Sequence, residues 1–209
     1  MKYIEIDNFA DPDLLLKIKN KLLHFYSSKN KIGIFVNKDR IKIYTINGLI
    51  LLNKVPEILD LYNYTFYKIN EKFNNSLTHI NELDIAISIN ILSSNLDDEF
   101  RMHFDRNQVT TIIYLSNNKA LPLKVFPNVR PDPLIHGKKN FCVSDFTPLL
   151  FKPKFNSLIS FYGNRSFHGI FYDNTEKTIF DEDLRISIQF AFNTLTNIKF
   201  TEEEYYGRR

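Results

Sequence analysis

Hydrophobic residues in the first third of the chain follow two different periods. Leu14, Ile18 and Leu22 recur at helical spacing after Asp11, which can cap a helix, and Pro12, which suits its first position. Alternating or β-branched residues fill shorter segments between polar turns. The pattern predicts a strand over 3–7, a helix over 12–26, a hairpin over 32–36 and 41–46, and a second helix over 56–73.

Short β-rich segments replace the helical pattern from about Asp84 onward. They are rich in Ile, Leu and Phe and are separated by turn residues such as Ser93-Ser94-Asn95. This spacing of short strands and turns is typical of an antiparallel β-sandwich or barrel. The stretch 128–148 is interrupted by prolines and predicts a long loop. The predicted strands cover 85–92, 109–115, 123–126, 157–161 and 185–192.

Length and composition indicate one domain with a sizeable core. The chain has 209 residues, of which 44% are hydrophobic and 24% charged, and these values exclude a disordered chain and a coiled coil. We expect residues 1–83 to form an N-terminal α/β elaboration packed on the core, 84–197 the β core and 198–209 a charged tail.

Other features of the composition restrict the kind of site. Cys142 is the single cysteine, so no internal disulfide and no multi-cysteine zinc site can form, and 6 glycines argue against an extended phosphate-binding loop. The net charge of +3 permits an anionic substrate but does not favour a nucleic-acid partner. Because no long apolar run is present, we expect a cytoplasmic protein without a membrane segment. Nothing in the sequence indicates the oligomeric state.

The triplet His103-Phe104-Asp105 precedes the predicted strand 109–115. Residues two apart on an extended chain project to the same side, so His103 and Asp105 can offer a nitrogen and an oxygen to one point. An antiparallel sandwich can bring His168 beside them, since it follows the strand 157–161. Two imidazoles and one carboxylate form the facial triad that holds ferrous iron. Taken singly, these residues would be a solvated strand end and an ordinary satisfied histidine.

A second pair of polar residues lies further along, where Arg185 and Ser187 share one side of the last strand. A guanidinium beside a hydroxyl is a good clamp for a carboxylate, because the planar fork binds both oxygens. A surface ion pair with the acidic residues 181–183 is the alternative for Arg185.

The order of these elements resembles that of the 2-oxoglutarate- and Fe(II)-dependent oxygenases: H-x-D, an apolar strand, a distal His and then R-x-S. The stretch HFDRNQVTTIIYLSNN is most similar to the prolyl-4-hydroxylase branch, where a T-x-x-Y-L-type strand follows H-x-D. The opening IEIDNFADPDLLLKIKNKL is also similar to the start of such enzymes. The resemblance implies a mainly β fold with N-terminal helices, built on a double-stranded β-helix of the jelly-roll or cupin type over 84–197.

The resemblance also implies roles for individual residues. The ligands of Fe(II) would be His103, Asp105 and His168. Arg185 would bind the distal carboxylate of the co-substrate 2-oxoglutarate, with Ser187 and Tyr114 as helpers. The strand before H-x-D lacks the Tyr and Gly often found there in prolyl hydroxylases, so we assign that part of the co-substrate site to Asn90, with Ser88 as the alternative.

The implied reaction uses O2 and 2-oxoglutarate, releases succinate and CO2, and hydroxylates an unactivated C–H bond. Related halogenases have Gly or Ala in place of Asp105, so its presence favours hydroxylation. The spacing from His168 to Arg185 is similar to that of nucleic-acid alkylation-repair demethylases, but those carry a further Arg where this chain has Ala191. A demethylase and a non-catalytic cupin-like binding protein remain the alternatives.

The substrate itself is weakly indicated. Arg106 follows the H-x-D motif, and Arg101 and Arg165 flank the two metal-ligand segments, so each is a candidate for an anionic substrate group. Exposed arginines are usually only solvated, and the basic loop around His136 is interpreted in the same way. We expect a small-molecule, amino-acid or peptidyl substrate.

Overall fold

The computed structural model describes residues 3–28, 32–38, 41–93, 102–127, 147–170 and 182–195. Within these residues the chain is mainly β. The strands are β1 Ile4–Asp7, β2 Ile34–Lys38, β3 Ile41–Asn47, β4 Leu77–His79, β5 Ile87–Ser93, β6 Val109–Tyr114, β7 Leu123–Pro127, β8 Leu149–Phe151, β9 Ser157–Phe161, β10 Ser166–Ile170 and β11 Leu184–Thr194. The helices are α1 Pro12–Ser27, α2 Gly48–Lys54, α3 Glu57–Asn70 and α4 Leu83–Ala86. None of these described helices is long and apolar enough to cross a membrane.

Two antiparallel sheets make up the β structure. The larger sheet has eight strands in the order β1-β9-β6-β11-β5-β3-β2, with β4 paired to the end of β11. The smaller sheet has the order β10-β7-β8. The architecture predicted from the sequence, mainly antiparallel β with N-terminal helices, is confirmed.

The large sheet separates two hydrophobic cores. On one side, alternate residues of its strands, such as Ile186, Ile188 and Phe190 of β11, pack with the helices. On the other side, residues such as Ile112, Tyr114 and Leu92 pack against the small sheet. Because strand side chains alternate between the two faces, each central strand contributes to both cores. The helices therefore cover one face of the large sheet and leave the space between the two sheets for a site.

The first helix forms where the sequence pattern placed it. The Asp11 side chain accepts a hydrogen bond from the Asp13 N–H, and Pro12 occupies the first turn, where its missing N–H is not needed. Leu15, Ile18 and Leu22 are fully buried against the sheet. The second predicted helix is α3, which continues as one 3-10 turn to Phe73.

Several elements differ from the sequence-based prediction. The strands β4, β8 and β10 and the helices α2 and α4 were not predicted, and β2 begins two residues later than expected. The strands β1, β2 and β3 of the N-terminal stretch join the large sheet directly and do not lie outside it. The domain boundaries at 83 and 197 stay a prediction. The tail 198–209 and all but the last two residues of the loop 128–148, with His136 and Cys142, lie outside the described residues.

Asn156 joins the N-terminal segment to the large sheet. Its side chain accepts a hydrogen bond from the Ala10 N–H at 2.9 Å and donates one to the Ala10 carbonyl at 2.8 Å. Its backbone accepts from Phe9 and donates to the Tyr114 carbonyl. With a φ of 61°, the residue lies in the left-handed region that Asn tolerates better than most residues.

Replacing Asn156 separates these contributions. Asn156→Ala removes both side-chain hydrogen bonds and adds left-handed strain, so we expect unfolding free energy to fall by about 2–4 kcal/mol. Asn156→Gly keeps the backbone conformation and should lose about 1–2 kcal/mol. Asn75→Ala is the control, because Asn75 shares the positive φ but is exposed. Urea denaturation followed by circular dichroism measures all three, and equal losses in Asn156→Ala and Asn75→Ala would contradict a role for the side-chain bonds.

Candidate metal centre

A pair of backbone hydrogen bonds brings His103 and His168 together. The His103 N–H donates to the His168 carbonyl at 2.8 Å, and the His168 N–H donates back to the His103 carbonyl at 2.9 Å. The two residues form an isolated antiparallel bridge beside β10. Side chains of such a directly opposed pair point to the same face, and here the ring centroids lie 4.6 Å apart.

Asp105 is the third member of this group. Its N–H donates to the Gly163 carbonyl at 3.1 Å, which fixes the segment after His103 against the turn that follows β9. Asp105 Oδ1 lies 3.4 Å from His103 Nε2, and Asp105 Oδ2 lies 3.3 Å from His168 Nε2. One ligand atom from each residue lies within 4.8 Å of the others. The structure thus brings together the three residues that the sequence predicted to be metal ligands.

The His168 ring is oriented by its surroundings. Its Nδ1 lies 2.8 Å from the Ser166 carbonyl, and a carbonyl can only accept, so Nδ1 carries the proton. The lone pair of Nε2 is thereby left for a metal, as is usual for metal-binding histidines. Phe161 packs edge-on against the ring at a centroid distance of 5.0 Å. His168 is buried, whereas the His103 side chain is 41% exposed.

The electrostatic surroundings keep Asp105 ionised. Burial by itself raises the pKa of Asp105, but the neighbouring His168 and His103 lower it more, and the net pKa lies well below its ordinary value. Two imidazoles, which bind metals in their neutral form, and one carboxylate make up a donor set that suits a divalent transition metal.

Arg185 lies on β11 and is buried to 1% exposure. Its Nη1 donates to Ser187 Oγ at 3.2 Å, and its guanidinium carbon lies 5.1 Å from the centre of the Tyr114 ring. Its Nε has no hydrogen-bond partner, and no described carboxylate forms an ion pair with it. The surface ion pair that was the alternative for this residue is therefore not formed by the described acidic residues. Burial lowers the pKa of Arg185, and the adjacent Tyr114 hydroxyl opposes that shift.

Tyr114 completes the surroundings of the guanidinium. The side chain is 2% exposed, and its hydroxyl has no hydrogen-bond partner among the described residues. Burial raises the pKa of Tyr114, so the phenol is neutral, although the positive charge of Arg185 lowers the pKa in part. A buried guanidinium nitrogen and a buried hydroxyl, both unsatisfied and adjacent, form a site that an anionic ligand would complete.

Sheet register aligns the polar residues that the sequence singled out. Ser187 on β11 lies directly opposite Tyr114 on β6 and Asn90 on β5, and Asn90 lies opposite Thr45 on β3. These residues form one polar row across four neighbouring strands. The sequence reasoning missed Thr45, because no motif marks it.

A cavity of about 260 Å³ joins the triad to this row. Its polar lining also includes Gln189, whose Oε1 accepts a hydrogen bond from Asn90 Nδ2 at 3.2 Å and which the sequence reasoning also missed. Arg185 also lines the cavity, and the other described lining residues carry no charge: Ile43, Leu92, Ile112, Leu123, Gly169 and Ile170.

Two of the three candidate substrate arginines, Arg106 and Arg165, are not among the described residues that line the cavity. Arg106 and Arg165 are exposed, and the Arg165 guanidinium lies 5.9 Å from the centre of the Tyr162 ring. Arg101 lies outside the described residues. Their role in substrate binding stays a prediction. Phe104, between His103 and Asp105, is half-buried and packs against Phe167 at a centroid distance of 5.3 Å.

The architecture is similar to that of several solved structures. The non-heme α-ketoglutarate-dependent epimerase SnoN from nogalamycin biosynthesis superposes with a TM-score of 0.68 at 10% identity, over 92% of this chain and 78% of that one. An oxidoreductase of the 2OG-Fe(II) oxygenase family from Burkholderia pseudomallei gives 0.63 at 14%, over 91% and 85%. A prolyl-4-hydroxylase from Pseudomonas putida gives 0.60 at 14%, over 92% of both chains.

This is the fold of the 2-oxoglutarate- and Fe(II)-dependent oxygenases. The predicted resemblance, including that to the prolyl-hydroxylase branch, and the jelly-roll core are confirmed at this level. No family sequence model and no curated protein sequence matches the chain. In this oxygenase fold the His103–Asp105–His168 group is the candidate metal centre.

Removing one ligand of this centre tests its assignment. We expect His168→Ala to weaken binding of Mn²⁺ or Co²⁺ by at least about a hundredfold, because even an outer partner of a metal ligand is worth 10–100-fold. His24→Ala is the matched control, since His24 is an exposed histidine on α1. Isothermal titration calorimetry measures both, and unchanged affinity in His168→Ala would exclude this residue as a ligand.

Proposed function

We propose that the protein is an Fe(II)- and 2-oxoglutarate-dependent oxygenase that hydroxylates an unactivated C–H bond of a small molecule, an amino acid or a peptidyl residue. The observation that carries the proposal is the combination, in one cavity, of a two-histidine, one-carboxylate group with a buried arginine that lacks an acidic partner among the described residues.

The donor set fits Fe(II). The three protein ligands lie close enough to share one ion, and the 2-His-1-carboxylate arrangement leaves coordination positions open for other ligands. A closed structural zinc site would instead need a fourth protein ligand. Among the described residues, no fourth His, Cys, Asp or Glu joins the group.

The Arg185 surroundings fit a dicarboxylate such as 2-oxoglutarate. An unpaired buried charge is costly, and a carboxylate that accepts from the guanidinium removes that cost. The Tyr114 and Ser187 hydroxyls lie beside the guanidinium, ready to bond the same carboxylate. The other end of the co-substrate would then extend through the shared cavity toward the triad.

The bound iron, with O2 and 2-oxoglutarate, would supply the oxidation of the C–H bond, releasing succinate and CO2. The residues of the chain bind and orient the reactants. Asp105 would be the carboxylate ligand of the metal, and the Ser166 carbonyl accepts from Nδ1 of His168 and so orients its Nε2 toward the metal site. Ile112, Leu123 and Ile170 exclude water from the reacting end of the cavity.

Hydroxylation is the outcome that we favour within this reaction class. A similar fold serves an epimerase as well as a prolyl hydroxylase, so the fold alone does not select the outcome. Asp105 supports hydroxylation, because it fills the position that a halide would need. The neutral polar residues Thr45, Asn90 and Gln189 in the cavity favour a reacting group without net charge.

Co-substrate consumption is the direct test of the proposed function. The protein is loaded with Fe(II) and 2-oxoglutarate under anaerobic conditions, and we expect a weak visible charge-transfer band. On admission of air, succinate should form, and a screened substrate should gain one oxygen atom by mass spectrometry. An epimerised product of unchanged mass would show that the enzyme epimerises its substrate and does not hydroxylate it. Failure to form both the band and succinate would exclude the oxygenase activity.

Arg185 provides the sharpest test of co-substrate binding. In Arg185→Ala the distal carboxylate loses its charge partner, which costs about 3–5 kcal/mol, so affinity for 2-oxoglutarate should fall by at least about a hundredfold. Arg185→Lys should recover only part of that loss, since an ammonium cannot reproduce the bidentate fork.

The control for Arg185 is Arg165→Ala, because Arg165 is exposed. It should leave affinity for 2-oxoglutarate unchanged, and none of the three variants should change affinity for the metal. Anaerobic titration of the charge-transfer band gives the co-substrate affinity, and calorimetry gives the metal affinity. Equal co-substrate affinity in wild type and Arg185→Ala would favour a binding protein without this co-substrate.

A further inference from the structure

We propose that Thr110 is a positioning residue for the metal centre. Its hydroxyl donates to Oδ2 of Asp105 and so holds the carboxylate in one orientation beside the two imidazoles. This inference rests on the proposed function in one respect, namely that the triad binds a divalent metal. It assigns to Thr110 a function that no motif of the sequence indicates.

The contact between the two side chains is direct. Thr110 Oγ1 forms a short hydrogen bond with Asp105 Oδ2. Thr110 is fully buried at the start of β6, so water does not compete for this bond. The hydroxyl is the donor of this bond, and the carboxylate oxygen is the acceptor.

Asn107 fixes the direction of that donor. Its Nδ2 donates to Thr110 Oγ1 at 3.1 Å and to the Val109 carbonyl at 3.0 Å. The hydroxyl oxygen therefore accepts from Asn107 and points its own hydrogen at Asp105. This relay Asn107–Thr110–Asp105 lies within six consecutive residues, and its geometry is set by the turn between the H-x-D motif and β6.

Gly163 keeps the carboxylate from turning away. A Cβ at Gly163 would lie 2.2 Å from Thr110 Oγ1 and 2.9 Å from Asp105 Oδ2. The glycine backbone therefore occupies the space immediately beside the hydrogen bond, while its carbonyl accepts from the Asp105 N–H. Packing against the Gly163 backbone and the hydrogen bond from the Thr110 hydroxyl both oppose rotation of the carboxylate.

A fixed carboxylate matters for a site with only three protein ligands. With its orientation fixed, the carboxylate would offer the metal the same donor geometry in every molecule, and the remaining coordination positions would stay available to other ligands. A carboxylate released from Thr110 can rotate out of position or bind through both oxygens. Either change alters the number or arrangement of ligands around the ion. Outer partners of metal ligands commonly contribute 10–100-fold to metal affinity.

The test compares three threonine variants in Co²⁺ titrations of the full chain. Thr110→Val keeps the shape and removes the hydroxyl, so the Kd for Co²⁺ should rise by about 10–100-fold. Thr110→Ser keeps the hydroxyl and should restore affinity to within about threefold of wild type. Thr111→Val is the matched control, since Thr111 is also fully buried and loses a hydroxyl bond of 2.7 Å to Ser160 Oγ.

The visible spectrum of the Co²⁺-saturated protein distinguishes positioning from stability. We expect the d–d bands of Thr110→Val to shift in position or intensity, and those of Thr110→Ser and Thr111→Val to match wild type. A general loss of stability would affect Thr110→Val and Thr111→Val alike in urea denaturation without changing the spectrum of the saturated protein.

Each result of these titrations supports or contradicts the positioning role of Thr110. Wild-type affinity and spectrum in Thr110→Val would overturn it, as would equal losses of affinity in Thr110→Val and Thr111→Val. If Thr110→Val does not fold, Asn107→Ala serves in its place and should raise the Kd by about two- to tenfold; an unchanged Kd there would also overturn it. Absence of Co²⁺ binding by the wild-type protein would instead reject the metal centre, and the proposed function with it.

Discussion

The reciprocal backbone hydrogen bonds between His103 and His168 are the interaction on which the site depends. They join a segment that follows β5 to a strand of the small sheet, and they fix the register in which the two imidazoles point the same way. Asp105 then falls on the same side, two residues along. A shift of one residue in this pairing would turn one imidazole away and separate the ligands.

The alternation of side chains between the two faces of a strand also determines how the large sheet is used. Along β11, Ile186, Ile188 and Phe190 pack with the helices, while Arg185 and Ser187 face the cavity. The helices supply the apolar contacts that stabilise the sheet, so the opposite face is free to carry hydroxyls, amides and a guanidinium. Polar residues at the centre of a sheet are tolerated here because the other face of each strand is tightly packed.

The sequence predicted the motif-bearing strands, and the three residues that it singled out as metal ligands lie together. The errors of the prediction have physical causes. Asn47 caps α2, but the apolar run after it fits a strand as well as a helix, so the helix was missed. The strand β10 was missed because its five residues do not alternate, although it carries His168. Pairing of β1 with β9 and of β3 with β5 joins residues distant in sequence, and no local pattern records such partners.

The site residues that were missed share one property. No sequence motif marks any of them: Thr45 and Gln189 contribute through sheet register, and Thr110 contributes through its contact with Asp105. In contrast, His103, Asp105 and Arg185 were found from the sequence because ionisable residues are unusual in strands. Their roles as metal or carboxylate ligands can also be inferred from few neighbouring residues.

The unsatisfied guanidinium of Arg185 has a consequence for the lifetime of the protein. A buried cation that has no carboxylate partner among the described residues leaves the folded chain less stable than its packing would allow. An anion that binds only the folded chain raises stability by mass action, by about 2.7 kcal/mol at a hundred times its Kd. If that anion is 2-oxoglutarate, as proposed, its abundance would govern how often the chain opens to proteases, and metabolic supply would be linked to protein turnover through one arginine.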